Sequence, residues 1–222
     1  MKYNEIVYIC LDEIKNTTDD AFFTEEHIMF LADKYRSYIL KQKYSDIKKY
    51  IPLSNYQTVC INLIEDSNYI CGYDYYLRSD KQVPLLSGLG NTKVTPIDSL
   101  QGNIEYVTKD RMKNVGYNKY MQNIIYSTIN EDKYLYLKSS NPQFKELKKV
   151  KLTGIFENPQ EVFNMQCNDN TTCNLLDMEF PLESSLTPLV IESILKELLG
   201  VKYIPKDTLN NASDDIPVNE KK

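Results

Sequence analysis

Residues 24–44 read TEEHIMFLADKYRSYILKQKY, and this stretch predicts a long amphipathic helix. Thr24 is expected to cap the helix, and the two glutamates that follow suit the positive end of the helix dipole. Apolar side chains at three- and four-residue steps form one stripe: Ile28, Leu31, Ala32, Tyr35, Tyr38, Ile39 and Ile47. Phe30 and Leu40 fall outside that stripe. A helix with a second apolar edge is expected to contact a second body.

Two further helices are predicted near the ends of the chain. Asn4 can cap a first helix that runs to Lys15. Pro188 at a first helical position opens a C-terminal helix that Gly200 closes. Residues 56–65, YQTVCINLIE, are compatible with a short helix or a buried strand, and the helical neighbours favour the helix.

The middle of the chain is predicted to be rich in strands. From Val83 onward, prolines and glycines separate short runs, which is typical of strands and turns. Strands are expected at 103–108, 134–138 and 150–156, and Pro159–Phe163 is expected to form one helical turn.

These patterns together predict an α+β fold. An N-terminal helical pair and a C-terminal helix are expected to form a helical body, with a β-rich middle insertion and an extended C-terminal tail. The predicted parts are 1–82 (helical), 83–165 (the β-rich insertion), 166–200 (a loop and the C-terminal helix) and 201–222 (the extended or disordered tail).

Composition excludes several classes of protein. The chain has 222 residues, of which 42% are apolar and 26% charged, so a packed core is expected. A net charge of −5 disfavours a protein that wraps duplex DNA. No apolar run approaches the ~20 residues of a membrane span, and the N-terminus predicts a helix rather than a signal peptide. The chain is therefore expected to stay in a cytoplasm, where its five cysteines would be free thiols.

No catalytic, metal or cofactor site is predicted. The spacing of Cys60, Cys71, Cys167 and Cys173 does not match zinc knuckles. His27 is the only histidine and has no nucleophile near it in sequence. Asp98 followed by Glu131-Asp132-Lys133 superficially resembles the carboxylate and lysine pattern of a metal nuclease. A polar turn before the strand YLYLK is the favoured interpretation of that tripeptide.

Several blocks of the sequence, taken in order, resemble virion structural proteins of the crAss-like tailed bacteriophages. The blocks are NEIVYICLDEIK, DDAFFTEEHIMFLADKYRSYILKQKY, NYQTVCINL, KYLYLKSSNPQFKELKKVKLTGIFENP, DMEFPLESSLTPLVIESILKELL and NNASDDI. The resemblance covers Asn4 to about Ile216. It implies a neck component: a homo-oligomeric ring, twelvefold to match a portal, that joins capsid to tail and has no enzymatic activity.

The same resemblance implies the partners. They are identical subunits and the portal or an adjacent neck or tail ring, in a virion assembled in the host cytoplasm, with DNA passing through without specific binding. The residues expected to contact neighbouring subunits are Phe30, Tyr38, Leu40 and Tyr44. The tail residues expected to contact the adjacent ring are Tyr203, Ile204, Leu209 and Ile216.

Two alternatives of other classes stay open at this point. The first is a metal-dependent phage nuclease that uses Asp98, Glu131 and Lys133. The second is a monomeric cytoplasmic binding or regulatory module that uses the tyrosine-rich middle of the chain.

Overall fold

The computed structural model describes residues 1–17, 23–46, 49–66, 77–97, 104–115, 119–121, 124–139, 144, 146–165, 167 and 174–200. The helices of this part of the chain are α1 (Tyr3–Thr17), α2 (Glu25–Tyr44), α3 (Lys109–Met112), α4 (Pro159–Phe163) and α5 (Thr187–Gly200). The strands are β1 (Gln57–Glu65), β2 (Leu77–Ser79), β3 (Lys93–Pro96), β4 (Ile104–Tyr106), β5 (Ile125–Ile129), β6 (Leu135–Lys138) and β7 (Lys149–Gly154). The predicted helices at both ends of the chain and the strands near 104, 135 and 150 are confirmed.

The seven strands form one mixed sheet in the order β3-β7-β1-β2-β6-β5-β4. All neighbours are antiparallel except β4 and β5, which are parallel. The two strands at the ends of this order, β3 and β4, lie side by side, so the sheet curls into a near-barrel. Its interior holds alternate side chains of each strand, including Val59, Ile61, Leu137, Val150 and Leu152.

Residues 57–65 form a strand, so the helical interpretation of this segment is wrong. Val59 and Ile61 point into the barrel and are at most 1% exposed, while Thr58 and Asn62 face outward. This is the two-residue period of a strand, and its β-branched residues favour extended backbone. The helical neighbours were a poor guide because β1 pairs with β7, which lies about 90 residues later in the chain.

The predicted fold class is also wrong. β1 and β2 precede residue 83, and they pair with β7 and β6, so the strands do not form an insertion into a helical body. The sheet is drawn from 57–154 and has a hydrophobic core of its own. Strand pairing between distant segments leaves no local mark on the sequence, which explains the error.

The three long helices share a second hydrophobic core. α1, α2 and α5 contact one another, and each contributes one apolar stripe. The fully or almost fully buried members are Ile6, Val7, Cys10, Ile14, Ile28, Leu31, Ala32, Val190 and Ile194. Ile155 and Phe163, which follow β7, also belong to this core, so the helices and the sheet are packed together.

One buried guanidinium connects α2 to the rest of the chain. Arg36 is completely buried. Its Nε donates to the Pro181 carbonyl at 2.8 Å, and its two terminal nitrogens donate to the carbonyls of Phe156 at 2.9 Å and Asn55 at 3.3 Å. Asp33, one turn earlier on α2, supplies the opposing charge. Burial lowers the pKa of Arg36 to about 10, so it remains charged at neutral pH.

We expect Arg36→Met to lower the free energy of unfolding by about 3–5 kcal/mol, because it leaves three buried carbonyls without a donor and Asp33 without its cation. Urea denaturation followed by circular dichroism measures the change. Lys41→Met, on the exposed side of the same helix, is the matched control and should change stability by about 0.5 kcal/mol or less. A loss below about 1 kcal/mol for Arg36→Met would contradict this role.

Candidate subunit-contact surfaces

The exposed side of α2 is the first candidate contact surface. Phe30, Lys34, Tyr38 and Lys41 follow one another at helical spacing and lie on one side of the helix; we call them the α2 stripe. Phe30 and Tyr38 are each 62% exposed. Two large aromatic side chains exposed one after the other on a single helix are typical of a surface that another protein covers.

The four residues predicted to contact neighbouring subunits divide into two pairs. The structure brings Phe30 and Tyr38 together on the exposed side of α2. Leu40 and Tyr44 are only 1% and 6% exposed and belong to the helical core, as does Ile51. The second apolar edge of α2 is therefore covered partly within the protomer, and Leu40 and Tyr44 are not part of an exposed patch.

α2 is held against α5 beside the stripe. Lys34 Nζ forms an ion pair with Glu197 at 2.8 Å, and the Tyr35 hydroxyl donates to the same carboxylate. The hydrogen bond to Glu197 raises the pKa of Tyr35 to about 12. Because the ion pair is solvent-exposed, it contributes on the order of 0.2–1 kcal/mol to the free energy of unfolding. Its main effect is to fix the position of the Lys34 ammonium group.

A groove of about 520 Å³ runs along the α2 stripe, and Leu89, Glu157 and Gln160 form its opposite wall. Asp33 also lines this groove and is only 8% exposed. Its carboxylate accepts hydrogen bonds from the Tyr3 hydroxyl and, at 2.7 Å, from Gln160 Nε2. Burial raises the pKa of Asp33 to about 6, and these hydrogen bonds and the charge of Arg36 only partly oppose the shift.

This raised pKa predicts a pH dependence of stability. Between pH 4 and pH 6 the folded chain binds more protons at Asp33 than the unfolded chain does, so the free energy of unfolding falls as the pH rises through this range. The stabilisation by protonated Asp33 is complete below pH 4 and is lost as the pH rises through 6. The rise in the pKa of Asp33 from 3.8 to about 6 corresponds to a change of at most about 3 kcal/mol in the free energy of unfolding. Asp33→Asn should therefore gain stability relative to the wild type as the pH is raised from 4 to 7.

Urea denaturation at a series of pH values measures this difference. Asp12→Asn, which removes an exposed carboxylate from α1, is the matched control for the loss of one negative charge. If the free energies of unfolding of the wild type and of Asp33→Asn changed in parallel with pH, the pKa of Asp33 would not be raised by folding.

A second candidate surface lies between α1 and α5. This groove, of about 470 Å³, is almost wholly apolar; we call it the α1/α5 groove. Its lining residues are Met1, Ile9, Ser184, Thr187, Pro188, Ile191, Glu192 and Leu195. Ile9 is 41% exposed, and Leu189 beside the groove is 47% exposed. This surface was not predicted from the sequence, although Ile9 lies off the buried stripe of α1 and α5 is apolar on more than one side.

The expectation of free thiols is wrong for two cysteines. Cys60 on β1 and Cys167, which are 107 positions apart in the sequence, form a disulfide that sequence spacing could not reveal. Cys10 is a buried free thiol, and burial raises its pKa to about 11. Cys71 and Cys173 lie outside the described residues.

The turn interpretation of the nuclease-like tripeptide is confirmed. Glu131 and Asp132 lie in the turn between β5 and β6, Lys133 has φ 63°, and Asp132 accepts hydrogen bonds from Tyr134 N and the Tyr136 hydroxyl. Asp98 lies outside the described part of the chain. Over the residues that the structure describes, no three His, Cys, Asp or Glu side chains are grouped to hold a metal ion.

The four predicted tail contacts, Tyr203, Ile204, Leu209 and Ile216, also lie outside the described residues. Within the described residues, none of the helices combines the length and the apolar character that a membrane span needs.

Comparison with known proteins gives two matches. A family model described as "Phage tail ring protein 2" matches residues 5–216. A protein named "Ring protein 2", from Bacteroides phage crAss001, is 50% identical over 222 residues, which cover 98% of this chain and 99% of the relative.

Proposed function

We propose a function from one premise: this chain belongs to the family described as phage tail ring protein 2, and it is a ring protein of a crAss-like phage. The resemblance drawn from the sequence is thereby confirmed at the level of the family. On this premise, the chain is a virion structural protein whose identical copies form a closed ring in the neck. The ring has twelve copies, joins the portal and capsid to the tail, and surrounds the path of the DNA.

The near full-length match to "Ring protein 2" is the observation that carries this proposal. The identity is 50%, and the match covers 98% of this chain and 99% of the relative, so it supports the same structural role along the whole matched length. A ring of identical copies needs two different surfaces on each subunit, one for each neighbour. The exposed aromatic side chains of the α2 stripe, Phe30 and Tyr38, support its use as one of them.

The charge of the chain supports the role in the DNA path. A net charge of −5 gives little general attraction for phosphates, so DNA that leaves the capsid can pass the ring without tight binding. Assembly rather than catalysis is the proposed activity.

Purified virions should contain this chain in about twelve copies per particle, in the same number as the portal protein, because stacked rings of matched symmetry share their subunit count. Quantitative mass spectrometry of gradient-purified particles, calibrated on capsid peptides, measures that ratio. A phage protein that acts only inside the host serves as a negative control. Absence of the chain from particles, or a copy number of one or two, would contradict the proposal.

The C-terminal residues 201–222 are proposed to bind the adjacent ring through Tyr203, Ile204, Leu209 and Ile216. A chain truncated after Gly200 should remain soluble and folded, because the described cores end with α5. Particles assembled with it should contain the truncated ring but fail to join the next layer, which electron microscopy can count. A truncation that removes only residues 219–222 is the matched control. Normal joining by the chain truncated after Gly200 would exclude this role.

A further inference from the structure

We propose that the α2 stripe of one copy docks into the α1/α5 groove of the next copy. This inference rests on the proposed ring, and it supplies what the ring requires, namely the pair of surfaces that meet between neighbours. The α2 stripe and the residues that line the α1/α5 groove have no member in common. One subunit can therefore use both at once, toward two different neighbours, as a head-to-tail contact in a ring requires.

The two surfaces are similar in length, and each presents apolar side chains. The α2 stripe presents Phe30 and Tyr38, which are eight residues apart and so about 12 Å apart along the helix axis. The apolar residues of α5 in the groove extend from Pro188 to Leu195, which is about 10 Å along that helix. A helix that lays regularly spaced aromatic side chains into an apolar groove is a common mode of protein recognition. Docking would cover the exposed aromatic groups and the groove together.

The charges beside the two surfaces are also complementary. The α2 stripe carries Lys34 and Lys41, and Lys41 has no ion-pair partner among the described residues. The exposed side of α1 presents Asp12 and Glu13 one turn beyond Ile9, and within the described part of the chain neither carboxylate forms an ion pair. An acidic edge beside the groove would therefore meet a basic stripe, which favours a second copy of this chain as the occupant.

Two of the other charges near these surfaces are balanced within the protomer. Lys34 already pairs with Glu197, and Glu192 in the groove pairs with Lys196 at 2.9 Å. Glu26 lies beside the α2 stripe at its N-terminal end, and Glu157 lies in the opposite wall of the same groove, so the positive charge of the stripe is at Lys41. The complementarity is therefore carried by Lys41 on one side and by Asp12 and Glu13 on the other.

Photo-crosslinking of the full-length chain tests the contact directly. A benzoylphenylalanine is placed at position 38 in chains that assemble into particles, and the particles are irradiated. We expect a covalent product of two chains in which residue 38 is attached to a peptide from 1–17 or 184–200. The same probe at position 53, where Leu53 is 78% exposed and belongs to neither surface, is the control and should give no such attachment.

A second variant tests the groove. Ile191→Asp places a charge in the apolar lining and should reduce the residue-38 product about tenfold or more. Ile64→Asp, which changes an exposed apolar residue on β1, should leave the yield unchanged. Circular dichroism of each variant confirms that the chain is folded.

Three results would overturn the inference: attachment of residue 38 to α2 of another copy, attachment only to a different protein, or no chain-to-chain product. A probe at position 191 that captures residues 201–222 of its own chain would also overturn it, because the tail would then occupy the groove. These failures differ from failure of the proposed function. If particles contain about twelve copies of the chain but the crosslink is absent, the proposed ring is supported and the proposed contact between α2 and the α1/α5 groove is excluded.

Discussion

The guanidinium of Arg36 donates to backbone carbonyls from three segments that are far apart in sequence, and the orientation of α2 depends on it. A planar group with five donors can satisfy several carbonyls at once, which an ammonium group on a flexible stem cannot do with the same geometry. Asp33 provides the neighbouring negative charge, and Tyr3 and Gln160 hold that carboxylate in turn. The network thus links α1, α2, α4 and the segment that follows β7.

This constraint determines which side of α2 faces solvent. Residues two positions apart on a helix point about 200° apart, so fixing Arg36 toward the interior turns Tyr38 outward. The rest of the stripe follows from helical spacing. At the same time α2 covers one side of α1 and α5, and the α1/α5 groove is left open elsewhere on the helical group. The buried network of Arg36 therefore sets which side of α2 the proposed ring can use.

Much of the helical part could be predicted from the sequence, because local spacing carries the signal. Ile6, Val7, Cys10 and Ile14 on α1 are buried as their periodicity indicates.

The sheet could not be derived in the same way. β1 pairs with β7, so its place in the sheet depends on residues that are distant in the chain. The Cys60–Cys167 disulfide was missed for the same reason, since nothing in the spacing of those cysteines marks them as neighbours. Phe30 falls outside the predicted stripe and is exposed, but Tyr38, which the spacing placed in that stripe, is exposed as well. Leu40 falls outside the stripe and is buried, because the core extends around α2 to Ile51.

The central claim is that identical copies of this chain meet through two different faces. A cryo-electron microscopy reconstruction of the neck of intact particles, at a resolution that shows side chains, tests it most directly. We predict a closed ring in which α2 of each subunit lies between α1 and α5 of its neighbour. A map in which Phe30 and Tyr38 face solvent in every copy, or in which subunits pair through the same face around a twofold axis, would contradict it.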